Sequence, residues 1–268
     1  MKIITWNCNM AFRKKADLIL SYQPDILIIP ECEHPGKLIF GNETAKPTDS
    51  LWFGKNLNKG IGIFSYTGFR FKVLKNYNED LQLVIPILVS SKEFQFKLFA
   101  IWANNPTDPD GQYVTQVWKA IRHYNGHLRS KQTMLIGDFN SNSIWDKPRR
   151  EGNHSTVVQK LASKDIHSVY HRYFNQDQGK EKHPTFYLYK QKDKAYHIDY
   201  CFASEAMMEH LKSVEVGAFE FWKKHSDHVP VIVSFDDAIY KNNGSSKTSK
   251  GNFLNRITER TRVRRNSS

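Results

Sequence analysis

A chain of 268 residues, 40% of them hydrophobic, is long enough to bury one large core or two small ones. Its net charge of +12 favours polyanionic partners, because lysines and arginines that neutralise phosphates release condensed counterions. No apolar run approaches the roughly 20 residues of a bilayer span, and Lys2-Ile3-Ile4-Thr5-Trp6 already reads as a strand with no leader-type cleavage site after it.

In chain order, residues 2–8 form an apolar run of strand length, and residues 12–21 carry apolar side chains at helical spacing before Pro24. Runs rich in β-branched and aromatic residues follow at 25–30, 61–65, 69–74, 84–90, 94–102 and 133–136, each bounded by Gly, Pro, Asn or charge. Residues 112–128 place Val114, Val117, Trp118 and Ile121 on one helical face. Shorter helical patterns at 155–162 and 205–211 are interspersed with strand patterns at 197–203, 213–217 and 229–235. Many strands and few helices predict two packed sheets covered by helices, an α/β layered sandwich. No linker or repeat interrupts residues 1–236, which are expected to form one domain. Residues 237–268 are expected to be a basic, disordered tail, in which residues 241–268 hold eight Lys and Arg against the single acid Glu259. Cys8, Cys32 and Cys201 lack zinc spacing, so buried free thiols in a reducing, cytoplasmic setting are expected.

Polar residues with chemical capacity sit at the ends of these runs. Asn7 and Asn9 close the first, and Glu31 closes the fully apolar Ile26-Leu27-Ile28-Ile29-Pro30. A carboxylate there calls for a cationic receiver, such as an oxygen-seeking Mg²⁺ ion. Met134-Leu135-Ile136 runs into Gly137-Asp138-Phe139-Asn140, an acid and an amide two residues apart on a turn. His197-Ile198-Asp199-Tyr200, on the strand pattern at 197–203, and Ser226-Asp227-His228, directly before the last strand, complete the set. Each is an ordinary turn composition by itself. Together they meet the needs of phosphodiester hydrolysis, in which water is deprotonated, attack is in line, and negative charge on the phosphate is offset.

Taken in order, Trp6-Asn7, Pro24-Asp25-Ile26-Leu27 with Glu31, Gly137-Asp138-Phe139-Asn140, Ile198-Asp199-Tyr200 and Ser226-Asp227-His228 resemble the endonuclease/exonuclease/phosphatase superfamily over about residues 1–236. The resemblance implies a four-layer αββα sandwich of two mixed sheets flanked by helices. It implies Mg²⁺, with Mn²⁺ as the alternative, held by Glu31 with Asn7 and Asp227. Asp138 would orient or deprotonate the attacking water, Asn140 would position water or phosphate, and His228, paired with Asp199, would stabilise the transition state. Asn104 matches an amide the family often has on the strand at 94–102. Asn9 stands where apurinic endonucleases place an acid, and Ile101 or Trp102 stands where members carry a phosphate-contacting Tyr or His. With no acid there, His154 is a candidate to approach the leaving group.

Arg149 and Arg150, near Lys147 and Trp145, follow the Gly-Asp-Phe-Asn turn and are candidates to hold a nucleic-acid strand. His123 and His127 stand four apart, but Gly126 and the lack of a third ligand argue against a metal site. The expected activity is a metal-dependent nuclease acting on DNA or RNA, with no membrane and no obligate protein partner. The competing readings are a hydrolase of small or lipid phosphoesters and a catalytically weakened nucleic-acid-binding module.

Overall fold

The computed structural model describes residues 1–81, 83–104 and 113–243. Its strands are β1 (Lys2–Thr5), β2 (Ile26–Cys32), β3 (Asp49–Asn56), β4 (Lys59–Ser65), β5 (Arg70–Val73), β6 (Val84–Ser90) and β7 (Gln95–Trp102) in the first half. The second half adds β8 (Thr133–Asp138), β9 (Ile166–Ser168), β10 (Phe186–Tyr187), β11 (Ala195–Tyr196), β12 (Asp199–Ser204), β13 (Leu211–Val216) and β14 (Val231–Phe235). The α-helices are α1 (Ala16–Leu20), α2 (Val114–His123), α3 (His154–Ala162), α4 (Val169–Phe174), α5 (Glu205–Met208) and α6 (Phe219–Trp222).

Two six-stranded sheets form, in the orders β13-β14-β1-β2-β4-β3 and β5-β6-β7-β8-β12-β9. Each has one parallel pair, β1 with β2 and β7 with β8, among antiparallel neighbours. Alternate side chains sort into layers, as a period of two requires. Ile3, Ile26, Ile28, Ile85, Ile87, Leu98, Ile136 and Val233 meet between the sheets. Their neighbours Ile4, Leu27, Ile29 and Ile232 face outward under Phe12, Ile19 and Trp222 of the α1 and α6 layer. On the other sheet, Phe99, Ile101, Leu135 and Phe202 face outward under Val117 and Ile121 of α2 and Leu161 of α3. Full burial of each such side chain contributes roughly 1.5–3 kcal/mol. Strands covered on both faces read as unbroken apolar runs, which is why Ile26-Leu27-Ile28-Ile29 shows no alternation.

The differences from expectation have local causes. The first strand ends at Thr5, where its pairing with β14 stops at Val231, although the Trp6 and Cys8 amides still donate to Ile28 and Pro30; beyond them Asn9, Met10 and Ala11 all take positive φ. The helix expected at 12–21 is a 3-10 turn followed by α1. Strand β3 went unpredicted because it is a sheet edge whose Gly54-Lys55-Asn56 end is exposed. Ile239 is buried and Tyr240 packs on Phe69 and Phe94, so the packed body extends beyond residue 236. Most of the expected tail, from residue 244 on, lies outside the described residues. The three cysteines are buried free thiols. Among the described residues no helix is long and apolar enough to cross a membrane.

Candidate active site

The topology alone brings the strand-end residues together. β1 and β2 run parallel, so Asn7 and Glu31 leave the same edge of one sheet. β14 runs antiparallel to β1, with Val231 opposite Thr5, so the Asp227-His228 segment leading into it arrives at that edge. On the other sheet β12 runs antiparallel to β8 with Asp199 opposite Asp138, while Trp102 pairs with Asp138 across parallel β7 and β8. The site is where these two edges face each other.

At its centre lie Asp138, Asp199 and His228, all buried, each offering an atom within 4.8 Å of the others. His228 Nδ1 lies 2.8 Å from Asp199 Oδ2. Burial alone would lower the imidazole pKa, but the charge and hydrogen bond of Asp199, with Asp138 and Asp227 nearby, push it up to about 9. Burial, reinforced by Asp199, pushes the Asp138 carboxyl up to about 7. Asp138 is oriented by the Asn140 amide at 2.8 Å on Oδ1, and by Asn7 Nδ2 at 3.0 Å and Asn140 Nδ2 at 3.1 Å on Oδ2. Ser226 Oγ donates to the Asn7 carbonyl at 2.8 Å and accepts the His228 amide at 3.0 Å, tying β1 to the His228 segment. Thr185 Oγ1 accepts the Ile198 and Asp199 amides, and Phe186 packs on the His228 ring.

Gly137 has a φ of +143°, and a Cβ there would overlap the Ile101 carbonyl, so only glycine lets β8 approach β7 this closely. Glu31 and Asn140 carry positive φ too, and Glu31 sits at a register shift between Pro30 and Cys32. Left-handed non-glycine residues gathered at one edge are the kind of backbone strain that functional sites retain.

A second group of oxygens adjoins the first. Asn7 Nδ2 reaches Glu31 Oε1 at 3.4 Å, Asn9 Nδ2 donates to Asp227 Oδ1 at 3.2 Å, and the Asn9 amide donates to Asn7 Oδ1 at 3.1 Å. The Lys59 ammonium stands 3.2 Å from Glu31 Oε2, a cation already received by this carboxylate. Asp199 Oδ1 is buried without a hydrogen-bond partner. A donor set of carboxylates and amides with a stand-in ammonium fits a hard divalent cation. Asp138, Asp199 and His228 offer ligand atoms close enough together for a divalent ion only where His228 is neutral.

Other expected residues fall differently. Ile101 is fully buried and Trp102 lies under the Lys59 ammonium, whose Nζ is 5.4 Å from the ring centroid. Asn140 Nδ2 donates to the Ala103 carbonyl at 2.9 Å, which leaves Asn104 next to the site. His154 is held inside the protein. It is buried, with Nδ1 2.9 Å from Ser141 Oγ and Nε2 3.0 Å from Gln178 Oε1, and both ring nitrogens are taken up inside the protein. Burial lowers its pKa, so it packs as a neutral ring. Arg150 reaches Thr115 Oγ1 at 3.4 Å and shares a cavity of about 150 Å³ with Asn140 and His154, while Arg149 is exposed. His123 and His127 both bond to Asn76. Lys59 is the functional candidate that sequence did not single out, since a lysine in a polar hairpin carries no signal.

No protein-family model and no curated protein sequence matches the chain. Solved structures do. A 3′ phosphatase from Neisseria bound to a product DNA hairpin is 20% identical, with a TM-score of 0.62 over 88% of this chain and 99% of that one. An AP endonuclease from Archaeoglobus fulgidus is 17% identical, with a TM-score of 0.62 over 88% and 99%. The catalytic domain of a Xenopus laevis protein, APE2, is 14% identical, with a TM-score of 0.62 over 88% and 91%. The chain therefore shares the fold of these structures, two mixed sheets flanked by helices.

Proposed function

We propose that the protein is a metal-dependent phosphodiesterase that hydrolyses nucleic-acid backbones. The observation that carries this reading is the convergence of Asp138, Asp199 and His228, contributed by two sheets, beside an oxygen-rich group around Glu31. Asp138, fixed by three hydrogen bonds, is placed to orient water and take its proton. Asp199 holds the His228 ring and favours its charged form, so that the imidazolium meets a phosphate oxygen as charge develops there. Asn140 positions the water or phosphate. Glu31, with Asn7 and Asp227, is the proposed holder of Mg²⁺ or Mn²⁺, because an imidazolium at His228 repels a cation from the central cluster. Bound there, the ion supplies positive charge to the phosphate. With Ile101 and Trp102 unable to titrate, Lys59, which lies beside Glu31 and Trp102, is the proposed side chain to offset charge on the leaving oxygen. Asn9, Asn104, Arg149 and Arg150 are proposed strand contacts, and the net charge of +12 suits a polyanionic substrate. Three buried thiols suit a cytoplasmic setting.

The test is a cleavage panel of labelled single- and double-stranded DNA and RNA with Mg²⁺ or Mn²⁺. Wild type should cut at least one class, chelation should abolish cutting, and Asp138→Asn should be inactive. No cleavage across the whole panel sinks the reading.

A further inference from the structure

Beside the candidate site is a cavity of about 440 Å³ lined by Trp52, Phe53, Lys55, Tyr77, Trp102 and Asn104, and by Lys59 of the site itself. Its size falls within the range of small-ligand sites. Lys59 joins the two, with Nζ 3.2 Å from Glu31 Oε2 and 5.4 Å from the Trp102 ring centroid. The opposite wall is joined through Ala103, whose amide donates to the Asp138 carbonyl at 2.8 Å and whose own carbonyl accepts Asn140 Nδ2. Asn104 is the next residue. The cavity wall thus continues, through Ala103, into the residues that hold Asp138 and Asn140.

The lining is built for a flat ring. Trp52 is held by its Nε1 on the Cys32 carbonyl at 3.0 Å, and its ring lies across the β3–β4 hairpin because Gly54 and Gly60 have no Cβ to collide with it. Phe53 and Tyr77 pack edge to face, with centroids 5.4 Å apart. Burial pushes the Tyr77 phenol up to about 12, so it stays a neutral hydrogen-bonding group. Asn56 and Asn104 add amides that can meet a ring's polar edge, and Lys55 and Lys59 outnumber Glu79 on the walls. A hydrocarbon chain would gain nothing from the lysines and amides. A single base with its phosphate uses every group, through stacking, edge hydrogen bonds and charge.

We infer that this cavity receives one unstacked base of the substrate strand beside the scissile phosphate, so that the substrate is single-stranded or locally unpaired there. The inference rests on the nucleic-acid reading above.

The test is binding of labelled short single strands by the protein in chelator, read by fluorescence anisotropy, with one abasic residue moved through each position. Losing the base at one position should weaken binding about tenfold, the lower part of the range for base–aromatic stacking. Phe53→Ala should weaken the base-bearing strand similarly and Tyr77→Phe a few-fold, about the worth of one hydrogen bond, and both should leave that abasic strand unaffected. Tyr77→Phe retains the ring that packs on Phe53, so this variant keeps the fold even where Phe53→Ala does not. Equal binding of all the strands by wild type, or equal losses on base-bearing and abasic strands in Tyr77→Phe, overturns the inference. Cleavage of the same strands with Mg²⁺ is scored separately. Its absence counts against the nuclease reading, while the anisotropy still decides the cavity.

Discussion

His228–Asp199 and His171–Glu181 are both buried histidine–carboxylate pairs, at 2.8 Å and 3.0 Å, yet their surroundings differ. Around Glu181 every demand is met. Oε1 accepts His171 Nε2 and the Gly179 amide, and Oε2 accepts Asn142 Nδ2. Although burial opposes it, these bonds hold the carboxyl down at about 2. Asp199 instead keeps one buried oxygen without a partner, and a second carboxylate, Asp138, stands within reach. A saturated pair fixes structure, here the segment after α4 against Asn142 of the Gly-Asp-Phe-Asn loop. An unsaturated pair beside another acid keeps capacity for a ligand and a proton.

The largest expected effect sets this contrast most sharply. His228→Gln should lower the rate of strand cleavage by about 10²–10⁴, the usual weight of a positioned acid or base. Asp199→Asn should follow in the same direction. If Glu181→Gln lowered single-turnover cleavage as much as either, the division between the two pairs would break.

Next in size, Glu181→Gln should destabilise the fold by about 1–3 kcal/mol, as expected for losing charge-assisted hydrogen bonds, measured by thermal melts. Its pH signature is specific. The Glu181 contribution is complete above the ordinary carboxyl value of 4.5 and is lost as pH falls toward about 2, because only the unfolded chain takes up the proton in that window. The melting temperature of wild type should therefore fall more steeply than that of Glu181→Gln between those values.

The smallest effect concerns a third carboxylate, Glu31, whose partner is an ammonium. Lys59→Met should lower the Mg²⁺ concentration needed for half-maximal binding a few-fold, about the worth of a half-exposed ion pair, measured by titration calorimetry without substrate. An unchanged or weaker Mg²⁺ affinity would remove Lys59 as the ion's stand-in.

Much of this was legible in sequence because the chemistry sits at the ends of buried strands. Ile26-Leu27-Ile28-Ile29 announces an apolar strand, so the acid after it stands out, and Gly137 marks Asp138 and Asn140, although it reads as a turn and the structure keeps it within β8. What was not legible depends on partners distant in the chain. His154 reads as a free imidazole in Asn153-His154-Ser155, and only the fold supplies Ser141 and Gln178 to occupy it. Met10 and Ala11 give no hint of positive φ. Edge strand β3 has too little buried surface to show a pattern, and with it the Trp52 platform went unseen.

The 2.8 Å bond between His228 and Asp199 has its two ends on different sheets. Neither sheet holds the pair by itself, and the apolar layer between them acts as the ruler that sets its length. The geometry of the candidate site is thus a gauge of how tightly two slabs are clamped. A core substitution that leaves both slabs intact but spreads them by an ångström would silence the site while the molecule still looked folded.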